Sequence, residues 1–187
     1  DIIFIDGGHD SRGEVIKEPN WEDLYDKVME IDERVDSFAI VQMWGIRNPE
    51  FEKKAKDLIG MWTNLPVVCG YELASQLNFL KRAATAFLNA RLIPLINEFI
   101  DAVKLGLKER GINAPLVIVC GDGSIMSEEF VRDRPVETLL SGPAASVIGG
   151  INLSGQKNCV VVDMGGTTSD LTVVKDGIPL LAYEGAK

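Results

Sequence analysis

A chain of 187 residues can bury one good core or two small ones, and its 46% hydrophobic and 25% charged residues are the make-up of an ordinary soluble globular protein. A net charge of −9 excludes a nucleic-acid partner, because binding a phosphate backbone takes a basic surface. No apolar run is long enough to span a bilayer and no signal-peptide pattern is present, so no membrane partner and a cytoplasmic location are expected.

Taken in order, Asp1–Asp6 (DIIFID) reads as a buried strand, and both ends of the chain read as cuts through a longer protein. Gly7–Gly13 (GGHDSRG) reads as a surface turn, since no helix follows at once to make a dinucleotide loop. His9, the only histidine, is expected to be solvent-exposed there. Asn20 is a candidate cap for a helix over Trp21–Ile31, in which Trp21, Leu24, Val28 and Ile31 recur at helical spacing. Ser37–Met43 is a central strand. Asn48-Pro49-Glu50 opens a second helix, with Pro at its first position, that runs to about Leu58–Met61. Leu65–Cys69 is another short strand. This alternation predicts an α/β domain with right-handed crossovers.

Ser75–Arg110 carries the longest helical pattern, with Gly111 as its C-cap and Pro94 predicting a kink or two helices. Leu77, Leu80, Ala84, Phe87 and Leu88 form its apolar face before the proline; Ile96, Phe99, Ile100, Val103 and Leu107 continue it afterwards. Arg82, Thr85 and Asn89 share another face, a polar stripe that suits a ligand or loop backbone, or else solvent. Pro115–Cys120 is a buried strand leading into Gly121-Asp122-Gly123-Ser124. Ligands bind at strand ends in open α/β sheets, which makes Asp122 and Ser124 candidate binding residues; a tight Asp-Gly turn is the other reading. Ser141-Gly142-Pro143 opens a short helix of small residues ending at Gly149-Gly150. Cys69, Cys120 and Cys159 lie in or beside apolar runs without a C-x-x-C pair, as buried free thiols do.

The most informative stretch is Asn158–Val174 (NCVVVDMGGTTSDLTVV), a hairpin whose β-branched arms flank a polar tip. Gly165 and Gly166 let backbone N–H groups approach an anion, and Thr167, Thr168 and Ser169 add hydroxyl donors. Asp163 and Asp170 would repel a phosphate held there unless a cation such as Mg²⁺ lay between. A hairpin with glycine in its turn and no ligand is the competing reading. A second hairpin closes at Asp176-Gly177 and runs on through Ile178–Tyr183.

The loop DMGGTTSD, the upstream segment RPVETLLSGPAASVIGG and the helix RAATAFLNA together resemble the hydantoinase A/5-oxoprolinase family of the actin-like ATPase superfamily. The resemblance implies an α/β actin-like ATPase (ribonuclease H-like) fold in part. Residues 1–140 would be the rear of the first lobe, and residues 141–187 the linking helix and opening phosphate-loop hairpins of the second. It also implies ATP and Mg²⁺ as cofactors, with Asp163 the catalytic residue that organises metal and water, and Asp170 a second metal ligand. Gly165, Gly166, Thr167 and Thr168 would hold phosphate oxygens, with Asp122 and Ser124 as further cofactor-binding residues. The implied substrate is a cyclic amide, a hydantoin or 5-oxoproline, and the implied partner a companion hydantoinase B-type subunit or domain. Only one such phosphate loop is present, so the 187 residues alone are expected to be inactive. Two alternatives stand beside this reading: a non-catalytic lobe that binds nucleotide or docks a subunit, and a subunit of an ATP-dependent ketone carboxylase. A sugar or acetate kinase is disfavoured, because it needs a matching first phosphate loop.

Overall fold

The computed structural model describes residues 2–180, which divide into two compact units. The first takes in residues 2–113 and 132–136, the second residues 114–131 and 137–180. Each is α/β in composition.

The first unit is built on a parallel pair of short strands, β3 (Phe38–Ile40) and β4 (Val67–Cys69), in register Phe38 to Val67 and Ile40 to Cys69. A parallel pair needs a crossover, here the helix α2 (Glu50–Trp62). Before it come the two-residue strand β1 (Gly8–His9), its antiparallel partner β2 (Val15–Lys17), and the helix α1 (Trp21–Ile31), whose Asn20 cap accepts the Glu22 and Asp23 N–H groups. After β4 come the single-turn helix α3 (Gly70–Leu73) and the long α4 (Phe79–Glu109). Strand alternation turns Val67 and Val68 to opposite faces. Leu24 and Val28 of α1 and Ala55 and Ile59 of α2 pack with Phe38 on one face, while Ala90 and Ile93 of α4 cover Val68 on the other.

Several expectations need correction. Residues 2–6 form no strand: Ile2 and Phe4 are exposed, Ile5 alone packs on the core cluster, and no described residue supplies the ladder that a strand requires. His9 is only 4% exposed, because its ring stacks on Phe51 of α2 at 4.1 Å and its Nδ1 meets the Gln42 amide nitrogen at 2.7 Å. Pro49 sits at the N-cap of α2, one position earlier than expected.

Helix α4 departs most. It runs unbroken through Pro94, which cannot donate to the Ala90 carbonyl one turn back; the Ser37 hydroxyl does so instead, at 2.7 Å. Gly111, at φ 68°, ends it as expected. The apolar face read from the sequence is exposed at Leu77, Leu80, Phe87 and Leu88 and buried at Ile100, while the buried face before the proline carries Arg82, Ala86, Asn89, Ala90 and Ile93. Arg82 donates to the Gln42, Met43 and Gln76 carbonyls. Asn89 donates to the Asp133 carbonyl at 2.8 Å and accepts the Val136 N–H at 3.0 Å. Two of the three residues in the polar stripe thus hold backbone of other segments, while Thr85 donates to its own helix, at the Lys81 carbonyl.

In the second unit, β5 (Val117–Val119) and β6 (Ile125–Ser127) form an antiparallel hairpin. The helix α5 (Glu128–Asp133), of which residues 128–131 belong to this unit, follows, then α6 (Ser141–Ser154), and last an antiparallel sheet of β7 (Cys159–Met164), β8 (Ser169–Lys175) and β9 (Ile178–Pro179). The expected buried strand at Pro115–Cys120 is one arm of the β5–β6 hairpin, with Val117 exposed, because its neighbour is a local antiparallel strand and not the interior of an open sheet. Helix α6 continues past Gly149-Gly150 and stops at Gly155, since neither earlier glycine takes the left-handed conformation that ends a helix. Asp176-Gly177 closes the last hairpin at φ 52° and 81°, and the part of the expected strand beyond residue 180 lies outside the described residues.

Cys69 and Cys120 are buried free thiols, with burial pushing Cys69 up to about 12; Cys159 is half-buried.

Two consequences are measurable. Ser37→Ala strands the Ala90 carbonyl inside the core, and urea denaturation should show a loss of about 1–3 kcal/mol. Glu52, 1% exposed, accepts the Gln42 N–H at 2.8 Å and the Tyr71 N–H at 3.2 Å, yet burial holds its carboxyl above the ordinary 4.5. The folded state therefore keeps this proton more readily than the unfolded chain. Its contribution to stability falls as pH rises from 4.5 through the folded value, a slope that Glu52→Gln should flatten in urea midpoints taken across that range.

Candidate functional site

The candidate residues all lie in the second unit, on two hairpins that meet α6. The longer hairpin forms because Val160, Val161 and Val162 face Val173, Thr172 and Leu171 across the β7–β8 ladder. Pairing extends beyond the apolar arms to Asp163 opposite Asp170 and Met164 opposite Ser169, so the tip shrinks to Gly165–Thr168, closed by the Gly165 N–H on the Thr168 carbonyl at 2.9 Å.

Two features of this tip are not needed to make a hairpin. Neither Gly165 nor Gly166 has a positive φ, and a Cβ at Gly166 would meet no described atom within 4 Å, so the fold does not demand glycine there. Leaving out the side chains keeps the backbone bare toward solvent, as close approach of an anion requires. Asp163 and Asp170, meanwhile, are direct cross-strand partners. Like charges so placed destabilise a ladder, and a cation between them reverses the sign. Asp163 is half-buried and its Oδ2 accepts the Ser146 hydroxyl of α6 at 2.7 Å; Asp170 is exposed. Among the described residues, no group of three or more His, Cys, Asp or Glu side chains is arranged to hold a metal ion.

Asp122 and Ser124 occupy the tip of β5–β6. The Ser124 N–H donates to Asp122 Oδ1 at 2.9 Å, and the Cys120 N–H closes the turn on the Ser124 carbonyl at 2.8 Å. This tip rests on the same helix as the phosphate-loop candidate: a Cβ on Gly123 would stand 3.1 Å from the Ile148 side chain. Ser146 escaped the sequence reading. Its signal is its place four residues before Gly150, on one face of a helix made largely of small and apolar residues.

The model of a family described as hydantoinase/oxoprolinase matches residues 82–186, and that of the family's N-terminal region matches residues 1–61. The chain belongs to the hydantoinase/oxoprolinase family. This family member is 30% identical over 150 residues to the caprolactamase α subunit of Pseudomonas jessenii, covering 78% of this chain and 22% of that subunit. It is 27% identical over 175 residues to the acetophenone carboxylase γ subunit of Aromatoleum aromaticum, covering 88% of this chain and 24% of the relative. The crystal structure of the ATP-dependent caprolactamase from Pseudomonas jessenii matches with a TM-score of 0.82 at 26% identity, over 90% of this chain and 25% of that one. The chain thus spans about a quarter of the length of these relatives.

The Ser124 hydroxyl and backbone N–H hold the Asp122 carboxyl below its ordinary 3.8. In Ser124→Ala the N–H remains and the hydroxyl is lost. Carboxyl-carbon NMR should then find Asp122 titrating nearer 3.8, though still below it.

Proposed function

We propose that this chain is an internal segment of an ATP-dependent cyclic amidohydrolase, acting on a hydantoin or 5-oxoproline, and that the β7–β8 tip is one of its phosphate-binding loops. The observation that carries the reading is the combination at that tip of two glycines the turn does not need with two carboxylates the ladder would rather keep apart. Gly165, Gly166, Thr167 and Thr168 bind phosphate oxygens through backbone N–H and hydroxyl groups. Asp163 and Asp170 hold Mg²⁺; hard carboxylate oxygens suit it, and an ion that binds through one or two carboxylates, phosphate oxygens and water needs no larger protein cluster. Asp122 and Ser124 are assigned a supporting role toward the nucleotide.

If ATP were bound, transfer of its terminal phosphoryl group to the amide oxygen, with ADP leaving, would make the carbonyl carbon open to attack by water. The ring C–N bond would then break with the nitrogen leaving as amine, and phosphate would be released by hydrolysis. The loop's own task is to orient that group and offset its charge, with Asp163 fixing the cation and an ordered water. Residues 1–140 are assigned to the rear of the first lobe of an actin-like fold and 141–187 to the linking helix and opening hairpins of the second. Relatives named as α and γ subunits support a companion subunit, which we assign to the hydantoinase B type, in the cytoplasm.

Similarity to an acetophenone carboxylase subunit favours a second reading, in which the same ATP step activates a reaction with a ketone. The two part on substrate. Full-length protein with its companion subunit, given Mg²⁺-ATP, should open a hydantoin, 5-oxoproline or another lactam without bicarbonate; consumption of a ketone only with bicarbonate selects the carboxylase. Under either reading Asp163→Ala should lower turnover by at least about a hundredfold. Unchanged turnover in that variant would overturn the assignment and leave a lobe that docks without catalysing.

A further inference from the structure

We propose that Ser146 is a positioning residue for Asp163: its hydroxyl fixes one carboxylate oxygen so that the other is presented to the cation. The inference rests on the assignment of Asp163 above and goes beyond it, since it names a residue on another element that sets the geometry of the site.

Three observations carry it. The Ser146 Oγ donates to Asp163 Oδ2 at 2.7 Å, joining α6 to β7 across seventeen positions of sequence. One helical turn on, Gly150 faces Val161: a Cβ there would lie 3.2 and 3.3 Å from the two Val161 methyls, tighter than ordinary contact. The spacings also match. Four helical residues rise about 6 Å and two strand residues about 6.7 Å, so the pair Ser146 and Gly150 lies alongside Asp163 and Val161 with helix and strand running in opposite directions. Glycine at 150 lets the helix approach closely enough for a side chain as short as serine to reach the carboxylate. That bond restricts the rotation of the Asp163 carboxylate and occupies one lone pair of Oδ2, so that Oδ1 is presented to an ion. Asp170, directly across the ladder, is exposed and makes no such bond to α6 among the described residues, so the half-buried Asp163 is the anchored member of the pair.

The test uses full-length protein, with Mn²⁺ as a paramagnetic substitute for Mg²⁺ and a non-hydrolysable ATP analogue. Free Mn²⁺ is followed by electron paramagnetic resonance, and turnover of the cyclic amide is measured separately with Mg²⁺-ATP. Ser146→Ala should weaken Mn²⁺ binding about tenfold, the usual scale for losing a hydrogen bond behind a metal ligand, and leave KM for the cyclic amide unchanged. Ser146→Thr, which keeps the hydroxyl, should restore the affinity. Gly150→Ala, which lifts the helix off Val161, should reproduce the loss with Ser146 intact. Wild-type Mn²⁺ affinity in Ser146→Ala, alongside lost binding in Asp163→Asn, would overturn the positioning role while sparing the site. Wild-type affinity in Asp163→Asn would remove the site itself. Equal losses in Ser146→Ala and Ser146→Thr would show that packing, and not the hydroxyl, matters at this position.

Discussion

A carbonyl buried in a protein core must find a donor, and in the first unit that requirement decides how the longest helix is used. Pro94 takes away the donor owed to Ala90, and Ser37, just ahead of β3, supplies it. The bond pins α4 to the parallel strand pair at the point where the helix is weakest. From there the same face carries Asn89 one residue earlier and Arg82 two turns earlier, each turned inward onto backbone groups of other segments. Glu52 does the converse, offering a buried carboxylate to the N–H groups of Gln42 and Tyr71. The loops after β3 and β4 are therefore held by buried polar side chains. Apolar packing secures the two faces of the strand pair, and hydrogen bonding fixes its edges.

The second unit shows the opposite economy. Its hairpin arms are made of residues that suit strands, whereas its tip is made of residues that do little for the hairpin: glycines whose freedom goes unused and two carboxylates set face to face. Local choices that work against the fold mark places where something else is being served. The tension is contained by α6, which braces both hairpins, touching the Gly123 turn through Ile148 and Asp163 through Ser146. A helix of small residues suits that role because it approaches a strand closely, as Gly150 does against Val161.

The chain belongs to the hydantoinase/oxoprolinase family, and one of its relatives is described as an ATP-dependent caprolactamase. Both hairpins and α6 fall within the matched region. Arg82 and Asn89, also within it, turn inward and hold backbone groups of other segments of the first unit.

What the sequence determined by itself was whatever is local. The Asn20-capped helix, the strand–helix–strand alternation, the Asp176-Gly177 turn and the glycine-bearing loop at Gly165 are set by neighbours a few residues away, and their periods and turn chemistry survive in the structure. The family was legible for a similar reason, because its motifs are contiguous. Tertiary structure decided which faces are buried. Arg82 and Asn89 read as a polar stripe, and only the distant backbone groups of Met43, Asp133 and Val136 make burying them favourable. His9 read as a turn residue until Phe51 supplied a ring to stack on. Pro94 read as a break until Ser37 met the stranded carbonyl. Ser146 found its partner, Asp163, only where Gly150 lets the helix lie against Val161. In each case the deciding partner lies far along the chain. Local periodicity carries no information about such partners, because hydrogen bonding and close packing depend on distance in space.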